Sequence, residues 1–555
     1  MRKLVFALIA VFAAVSTAPA VPPLTITVIG SLQTAGLRDE DPRIAEINAF
    51  DASGQRVYVV NPRGGVLDVI DISTPSSPLK APSVDIVAAC EAALGAAGCP
   101  VETGSEPNSV AIFGDLMAVA VANAVRTSNG HAVFFELNGT SSPSFVAVHE
   151  VGALPDMITF TRDGAYALTA DEGEPSSYNQ SNSIDPPGSV SIIKIAELGT
   201  PTAVRKVGFE RFDNPGQREK LESDGVRIFG PNASVSQDLE PEYIATEGNK
   251  AFVTLQENNA LAIINIHGAS VEKIVGLGLK DHSLLGNKLD PRDNNNVIEI
   301  ANWPVHGMYQ PDAVSTFSDK GHTFLIMANE GDAREYLGFV EAVRFGSGAY
   351  PLDAAFPIAK TNAGLARLNV SLGSGDLDGD GDIDRVDVFG ARSISIRDHQ
   401  GRLVWDSGEL LERLAQTLHG TRALFNTTNN ANDFDNRSDD KGVEPESVVI
   451  GQVNGRLLAF VGLERDSGIV VLDLSVPEAP SFVTYATNRK FPVAPNVVFD
   501  CLPEDEEDND ENFNVCGDLG PEGLTFVPAG QSPSGKALLI VSNEVSSTTT
   551  IWQVE

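Results

Sequence analysis

Between residues 376 and 387 the chain reads DLDGDGDIDRVD, which sets carboxylates at intervals suited to a hard cation. Asp376, Asp378 and Asp380 fill positions one, three and five of a calcium-loop pattern, and Gly381 supplies the turn at six. Asp382 stands at seven, and Asp384 and Asp387 at nine and twelve. The pattern departs from a paired helix–loop–helix site in having Asp at position twelve and no flanking helices, so it predicts a lone Ca²⁺ loop of weak to moderate affinity with a structural role. A second acidic set is scattered through the chain: Glu46, Asp156, Glu242, Asp312, Glu446 and Glu522, then Glu172, Glu257, Glu330, Glu464 and Glu544. If these converge, their repulsion and desolvation call for cations, and oxygen ligands suit Ca²⁺, Mg²⁺ or Mn²⁺. The acidic run at 504–511 has no ligand spacing and reads as a solvated loop.

The elements that would make them converge are hairpins. Residues 310–336, QPDAVSTFSDKGHTFLIMANEGDAREY, read as one strand, a turn at Ser318 to Gly321, and a second apolar strand. Asp312 begins the first strand and Glu330 ends the second, so an antiparallel pairing puts both on one rim. Copies begin near Glu46, Glu106, Leu154, Glu240, Gln310, Glu444 and Gly520. Most are followed by a third strand and several by a fourth. Repetition of four short strands over seven units predicts an all-β fold, a seven-bladed β-propeller. The last unit has three strands, and residues 24–30 (LTITVIG) are expected to complete it and close the ring. The long insertions, including 333–390 with the calcium loop, fall on the rim that carries the acids. Long loops on one face of a rigid scaffold build binding sites.

Composition bounds the partners. Lys+Arg 39 against Asp+Glu 75 gives a formal charge of −36, which disfavours extended contact with nucleic acid or anionic lipid and favours cations. Arg2 and Lys3, an apolar run and a small-residue site at 18–20 read as a secretory signal, leaving residues 21–555 as a single exported domain, secreted or periplasmic. No later run is long enough to span a bilayer, and a monomer is expected. Cys90 lies near Cys99 and Cys501 near Cys516, so two local disulfides are expected, although four cysteines allow three pairings.

Several runs resemble one family: GALPDMITF with ALTADEGEPSSY, LQENNALAIINI followed by KDHS, NWPVHGMYQPDA with ANEGDAREY, RSDDKGVEPE, and DLGPEGLTFVPA with VSNEVS. They look like the choice-of-anchor I domain, which secreted bacterial proteins called alkaline phosphatases share with mesenchyme-specific cell-surface glycoproteins of biomineralising animals. The resemblance covers nearly all of the exported chain and implies a secreted propeller, calcium association and phosphatase activity; the C-terminal anchor of many relatives is not expected here. A phosphoric-ester hydrolase needs cations on the phosphoryl oxygens, a nucleophile and an Arg clamp. The candidates are rim metals on Asp312, Glu330, Glu446, Glu464, Glu522 and Glu544, water activated beside them, and Arg334, Arg437, Arg465 and His282, with Lys441 and His306 in reserve. No Ser-His-Asp order, nucleophile elbow or P-loop occurs. The competing reading is a non-enzymatic calcium-binding module that presents loops to an extracellular polymer or mineral.

Overall fold

In the computed structural model, residues 23–34, 44–139, 142–418, 425–429, 433–490 and 516–555 are described. Among the described residues the hairpins lie in four-stranded antiparallel sheets, numbered here one to seven in chain order. Sheet one runs Asn48–Asp51, Arg56–Asn61, Val66–Asp71 and Leu79–Asp85, and sheet three Pro155–Phe160, Tyr166–Asp171, Ser189–Lys194 and Val204–Gly208. Sheet four is Ile244–Glu247, Lys250–Leu255, Ala260–Asn265 and Ser270–Gly276. In sheet seven, Pro521–Val527, Ala537–Asn543 and Thr548–Val554 are joined by Ile26–Gln33, which pairs antiparallel with Thr548–Val554.

The first strand of each sheet packs on the first strand of the next, and that of the seventh touches that of the first. Polar side chains tie these inner strands together. Asn48 Nδ2 donates to the Gly523 carbonyl (2.8 Å), Thr525 Oγ1 to Asn48 O (2.9 Å), and Ser315 Oγ to Val448 O (2.9 Å). Each sheet is covered on both faces by its neighbours, so middle strands are apolar runs rather than alternations. Val57 to Val60 and Ala118 to Ala122 are buried throughout, whereas the outer strand Leu79–Asp85 is largely exposed. The result is a β-propeller fold.

Turn chemistry sets the register. Lys320 and Gly321 both take positive φ (47° and 81°), as do Asn454 and Gly455 (53° and 79°), which are the two-residue turns that match strand twist. The turn predicted over Ser318 to Gly321 is therefore shorter, because the strands Val314–Asp319 and His322–Asn329 continue to its edge.

The insertion at 333–390 differs from the expected loop. It enters sheet five between His322–Asn329 and Ser393–Asp398 and packs with residues 279–308 through small sheets, among them Leu279–Asp281 with His306–Met308 and Asp387–Val388. Leu289, Val305, Phe345, Tyr350, Leu368 and Val386 give it a core of its own. The sequence shows no clear period there because the strands are two or three residues long. Outer strands at Leu403–Asp406 and Ser481–Thr487, and the helices Ile86–Leu94 and Leu410–Leu418, also went unread. Helix Ile86–Leu94 is capped by Asp85, which accepts from Ala88 N (2.8 Å), and is tied by the Cys90–Cys99 disulfide. Cys516 is disulfide-bonded, and its expected partner Cys501 lies outside the described residues, as do the 1–20 signal and the 504–511 acidic run. Among the described residues no helix is long and apolar enough to cross a membrane.

Candidate functional site

One backbone device, repeated, delivers the rim acids. Leu154, Gln310 and Glu444 hold positive φ (48°, 40° and 52°) before Pro155, Pro311 and Pro445, and Gly520 (69°) does the same before Pro521. Left-handed backbone costs a non-glycine residue about 1 kcal/mol or more, so the surrounding structure must enforce it. After each proline comes an acid: Asp156, Asp312, Glu446 or Glu522. The end of the second strand closes the kink. The N–H groups of Glu172, Glu464 and Glu544 donate to the carbonyls of Leu154 (2.9 Å), Glu444 (2.8 Å) and Gly520 (2.8 Å), and Gly331 donates to Gln310 (3.1 Å).

The carboxylates then meet across sheets. Oxygens of Glu330, Glu446 and Glu464 lie within 4.8 Å of one another, where sheet five adjoins sheet six (Pro445–Val453, Arg456–Leu463, Gly468–Asp473, Ser481–Thr487). Glu330 accepts from Gln256 Nε2 (2.9 Å) and Lys441; Glu464 accepts from Asn429 Nδ2 (2.9 Å) and Arg465 Nη1 (3.1 Å). Glu446 Oε2 is buried with no hydrogen-bond partner. Burial raises the Glu446 carboxyl well above the usual range, and Glu330, Glu522, Asp312 and Glu464 add to this. Asp312 is raised by burial and by Glu330, and Glu522 by burial and by Glu544, so these acids face the same mouth. A carboxylate set in this position becomes neutral by taking protons or a cation. The oxygen spacing suits a divalent ion, and the orphaned Glu446 oxygen supplies a vacant ligand atom.

The basic candidates fall into three groups. Arg437, Lys441 and Arg465 surround fully buried Glu444: Arg437 Nη2 at 2.6 Å, Arg465 Nε at 3.1 Å and Lys441 Nζ at 3.2 Å. Burial alone would lower Lys441, but Glu330 and Glu444 hold it well above its ordinary value and thus charged. These three stand beside the acid triad. Arg334 does not; it is wholly buried between Asp238 (2.6 Å) and Glu240 (2.9 Å), with its guanidinium 4.6 Å from the Phe229 ring centroid. His282 is apart as well. Its Nδ1 faces Asn287 O (2.6 Å), and burial, with Lys280, keeps it neutral. His306 begins the strand His306–Met308, which runs parallel to Asp387–Val388 of the insertion. Glu240, Glu444, Gln256 and Asn429 were missed by sequence reasoning. The spelling Glu-Pro-Glu at 240–242 and 444–446 is the signal that would have exposed the two glutamates.

In the insertion, Asp376, Asp378 and Asp384 bring oxygens within 4.8 Å, and Asp353, Asp382 and Asp384 do the same. Asp376 is organised by the loop's own backbone, accepting from Gly379 N (2.7 Å) and Gly381 N (3.1 Å), and Gly381 takes φ 97° as its position requires. Asp380 turns to accept from Asp382 N (3.0 Å) and is in neither triad. Asp387 is removed altogether. It is buried in a bidentate pair with Arg385 (2.8 Å to each oxygen) and accepts from Ser374 (2.9 Å), because the chain enters a strand at this point. Asp353, distant in sequence, is the carboxylate that joins Asp382 and Asp384 instead.

Comparison with known proteins adds the following. The chain is 27% identical over 204 residues to Gigasin-3a of Magallana gigas, covering 36% of this chain and 67% of that protein. It is 26% identical over 328 residues to a mesenchyme-specific cell surface glycoprotein of Strongylocentrotus purpuratus, covering 50% of this chain but 41% of that one, less than half its length. Solved structures with a similar course include Kuenenia stuttgartiensis hydrazine synthase (TM-score 0.41, 11% identity, 94% of this chain and 98% of that one) and the WD40 domain of Toxoplasma gondii coronin (TM-score 0.43, 8% identity, 97% and 87%). A family model matches residues 46–477. This chain belongs to the choice-of-anchor I domain family.

Proposed function

We propose that the chain is an exported, seven-bladed closed propeller that binds divalent cations at one mouth and uses them to hydrolyse phosphoric esters. The observation that carries this reading is the Glu330, Glu446 and Glu464 triad flanked by Lys441 and Arg465. A divalent cation held there would draw charge from a phosphoryl oxygen and lower the pKa of a neighbouring water. Glu446 offers its unpaired oxygen to that cation. Lys441 and Arg465 lie where the remaining phosphoryl oxygens would rest, and each can exchange a carboxylate for a phosphate oxygen at little electrostatic cost. Lys441, Arg465 and Arg437 hold Glu444 charged against its burial, and Glu444 in turn aims Lys441 and Arg465. Asp312 and Glu522 stand close enough to Glu446 to add further oxygen ligands to the same mouth.

The test is metal analysis of purified protein, followed by turnover of phosphomonoesters and phosphodiesters with and without added Ca²⁺, Mg²⁺ or Mn²⁺. Metal-dependent hydrolysis that disappears in a Glu330→Gln, Glu464→Gln double variant supports the reading. A second reading rests on the ion pairing itself: Arg437, Lys441 and Arg465 are each engaged by carboxylates, as in a closed cation-binding surface module. A fully metal-loaded protein that hydrolyses no ester makes the chain such a module, facing an extracellular polymer or mineral, in keeping with a cell-surface relative. The Asp376, Asp378 and Asp384 loop is, in either case, a separate Ca²⁺ site of structural role.

A further inference from the structure

We infer that Glu172, Glu240 and Glu257 form a further divalent-cation site, of Ca²⁺ type, that clamps sheet three to sheet four. Glu172 directly follows strand Tyr166–Asp171, Glu257 lies just beyond Lys250–Leu255, and Glu240 precedes Ile244–Glu247, so the three come from two adjacent sheets. Their ligand oxygens all lie within 4.8 Å of one another. Oxygens on opposite sides of a Ca²⁺ ion are separated by about twice its bond length of roughly 2.4 Å, so the group is of the right size without rearrangement.

Orphaned oxygens point to a ligand. Glu240 is fully buried and Glu257 is 5% exposed, yet Glu240 Oε1 and Glu257 Oε2 have no hydrogen-bond partner. An unpaired carboxylate oxygen out of contact with water is expensive, and this cluster holds two of them. Neighbouring Glu174 shows the contrast: one oxygen accepts from Tyr336 Oη (2.9 Å) and the other pairs with Arg126 (3.0 Å). Arg334 cannot neutralise the triad. It grips Glu240 through Oε2 and Asp238 through Oδ1, leaving four carboxylates against one guanidinium. That grip also fixes the Glu240 carboxylate with Oε1 left over. Asp156, Glu174 and Glu242 surround the group with more negative charge. Carboxylate ligands alone, with no His or Cys, select a hard ion.

The site is independent of the hydrolase reading, because none of its residues touches the Glu330 triad and its role is to hold two sheets together. The test uses the whole exported chain stripped with EDTA. Calcium binding is followed by isothermal titration calorimetry, and melting temperature is recorded with and without 2 mM of Ca²⁺, Mn²⁺ or Mg²⁺ (about the upper range for extracellular modules). Glu257→Gln should lose one equivalent of bound cation and part of the cation-dependent rise in melting temperature, while its metal-free melting temperature is equal to wild type or higher. Glu446→Gln should keep that equivalent. If Glu257→Gln does not fold, as judged by circular dichroism, Glu172→Gln serves in its place, since Glu172 is not bound to Arg334. Unchanged stoichiometry in the folded variant, or a wild type that takes up none of the three cations, overturns the site.

Discussion

The mouth and the aspartate loop hold carboxylates at similar spacing, yet they solve the problem of like charge in opposite ways. At the mouth, Glu446 and Glu464 sit at strand ends, burial raises both carboxyls, and Lys441 and Arg465 are drawn into pairs with Glu330 and Glu464. In the loop, Asp376, Asp378 and Asp380 are exposed and are organised by backbone N–H groups that they accept locally. Water does for the loop what protons, cations or arginines must do for the mouth. The same three-oxygen geometry therefore carries a large energetic consequence in one place and a small one in the other.

The strongest way to break this contrast is to remove charge at the mouth. Glu330→Gln with Glu464→Gln keeps side-chain size and should lower metal-dependent ester hydrolysis by about 10²-fold or more, with an unchanged circular dichroism spectrum. Retained turnover would show that the buried triad is a structural feature only. Next in size is Arg334, whose two carboxylate partners are as buried as it is. Arg334→Met should destabilise the chain by about 3–5 kcal/mol, because Asp238 and Glu240 lose their counter-charge inside the protein. Arg126→Ala, which breaks an exposed pair with Glu174, should cost about 0–1 kcal/mol. Denaturant unfolding of both variants in EDTA measures the gap, and equal costs would remove burial as the deciding factor.

These two regions were not equally legible. Repeated hairpins, and the acids at their ends, follow from period and turn residues, since strand starts and ends are local features: Pro311-Asp312 and Asn329-Glu330 announce themselves. Which side chains neutralise which acids does not follow, because Arg334 meets Asp238 and Glu240 across nearly a hundred positions of chain, and Lys441 reaches Glu330 across a similar gap. A function assigned to Arg334 from its place in the ANEGDAREY run takes no account of Glu240. Asp387 is the same lesson in miniature. Its spacing is that of a ligand, but Arg385, in the bend just before the strand Asp387–Val388, takes both of its oxygens.

A buried acid group with no metal triad supplies a control for pH. Burial pushes Asp290 up to about 7, and burial with Asp290 pushes Asp435 up to about 8; Glu412, close to both, pairs with Arg392. In the unfolded chain such groups lose their proton near pH 4. Between pH 4 and 8 the folded state thus holds protons that the unfolded state has released, so their contribution to stability is complete at low pH and is lost as pH rises through 7 to 8. Melting temperature in EDTA should fall from pH 5 to pH 9, and Asp435→Asn should flatten that fall. Added Ca²⁺ should leave the Asp435 share of the slope unchanged, whereas it should offset the share that comes from the mouth. A slope unaltered in Asp435→Asn would assign the pH dependence to the other buried acids, those of the mouth among them.

The smallest expected effect lies in the aspartate loop, and it separates spacing from geometry. By pattern alone Asp380, at position five, is a ligand and its loss should weaken binding as much as that of any other position. In the folded loop Asp380 accepts from Asp382 N, while Asp384 belongs to both oxygen triads, one with Asp376 and Asp378 and one with Asp353 and Asp382. Asp384→Asn should therefore raise the Ca²⁺ dissociation constant of the loop at least about tenfold, from a starting value of roughly 10⁻⁴ to 10⁻³ M for an exposed extracellular site. Asp380→Ala should raise it less, and Asp387→Asn should leave it unchanged while loosening Arg385. Asp380→Ala and Asp384→Asn should move the melting temperature in EDTA by no more than about a degree or two, since these loop carboxylates are solvated, whereas Asp387→Asn should lower it further, because Asp387 is buried against Arg385. Terbium luminescence read separately for each variant, in a background of Glu257→Gln and Glu446→Gln to silence the buried clusters, gives the order directly. An order of Asp380 above Asp384 would mean that the loop closes on calcium into the arrangement that its sequence spells, and that the arrangement with Asp353 is the one it leaves behind.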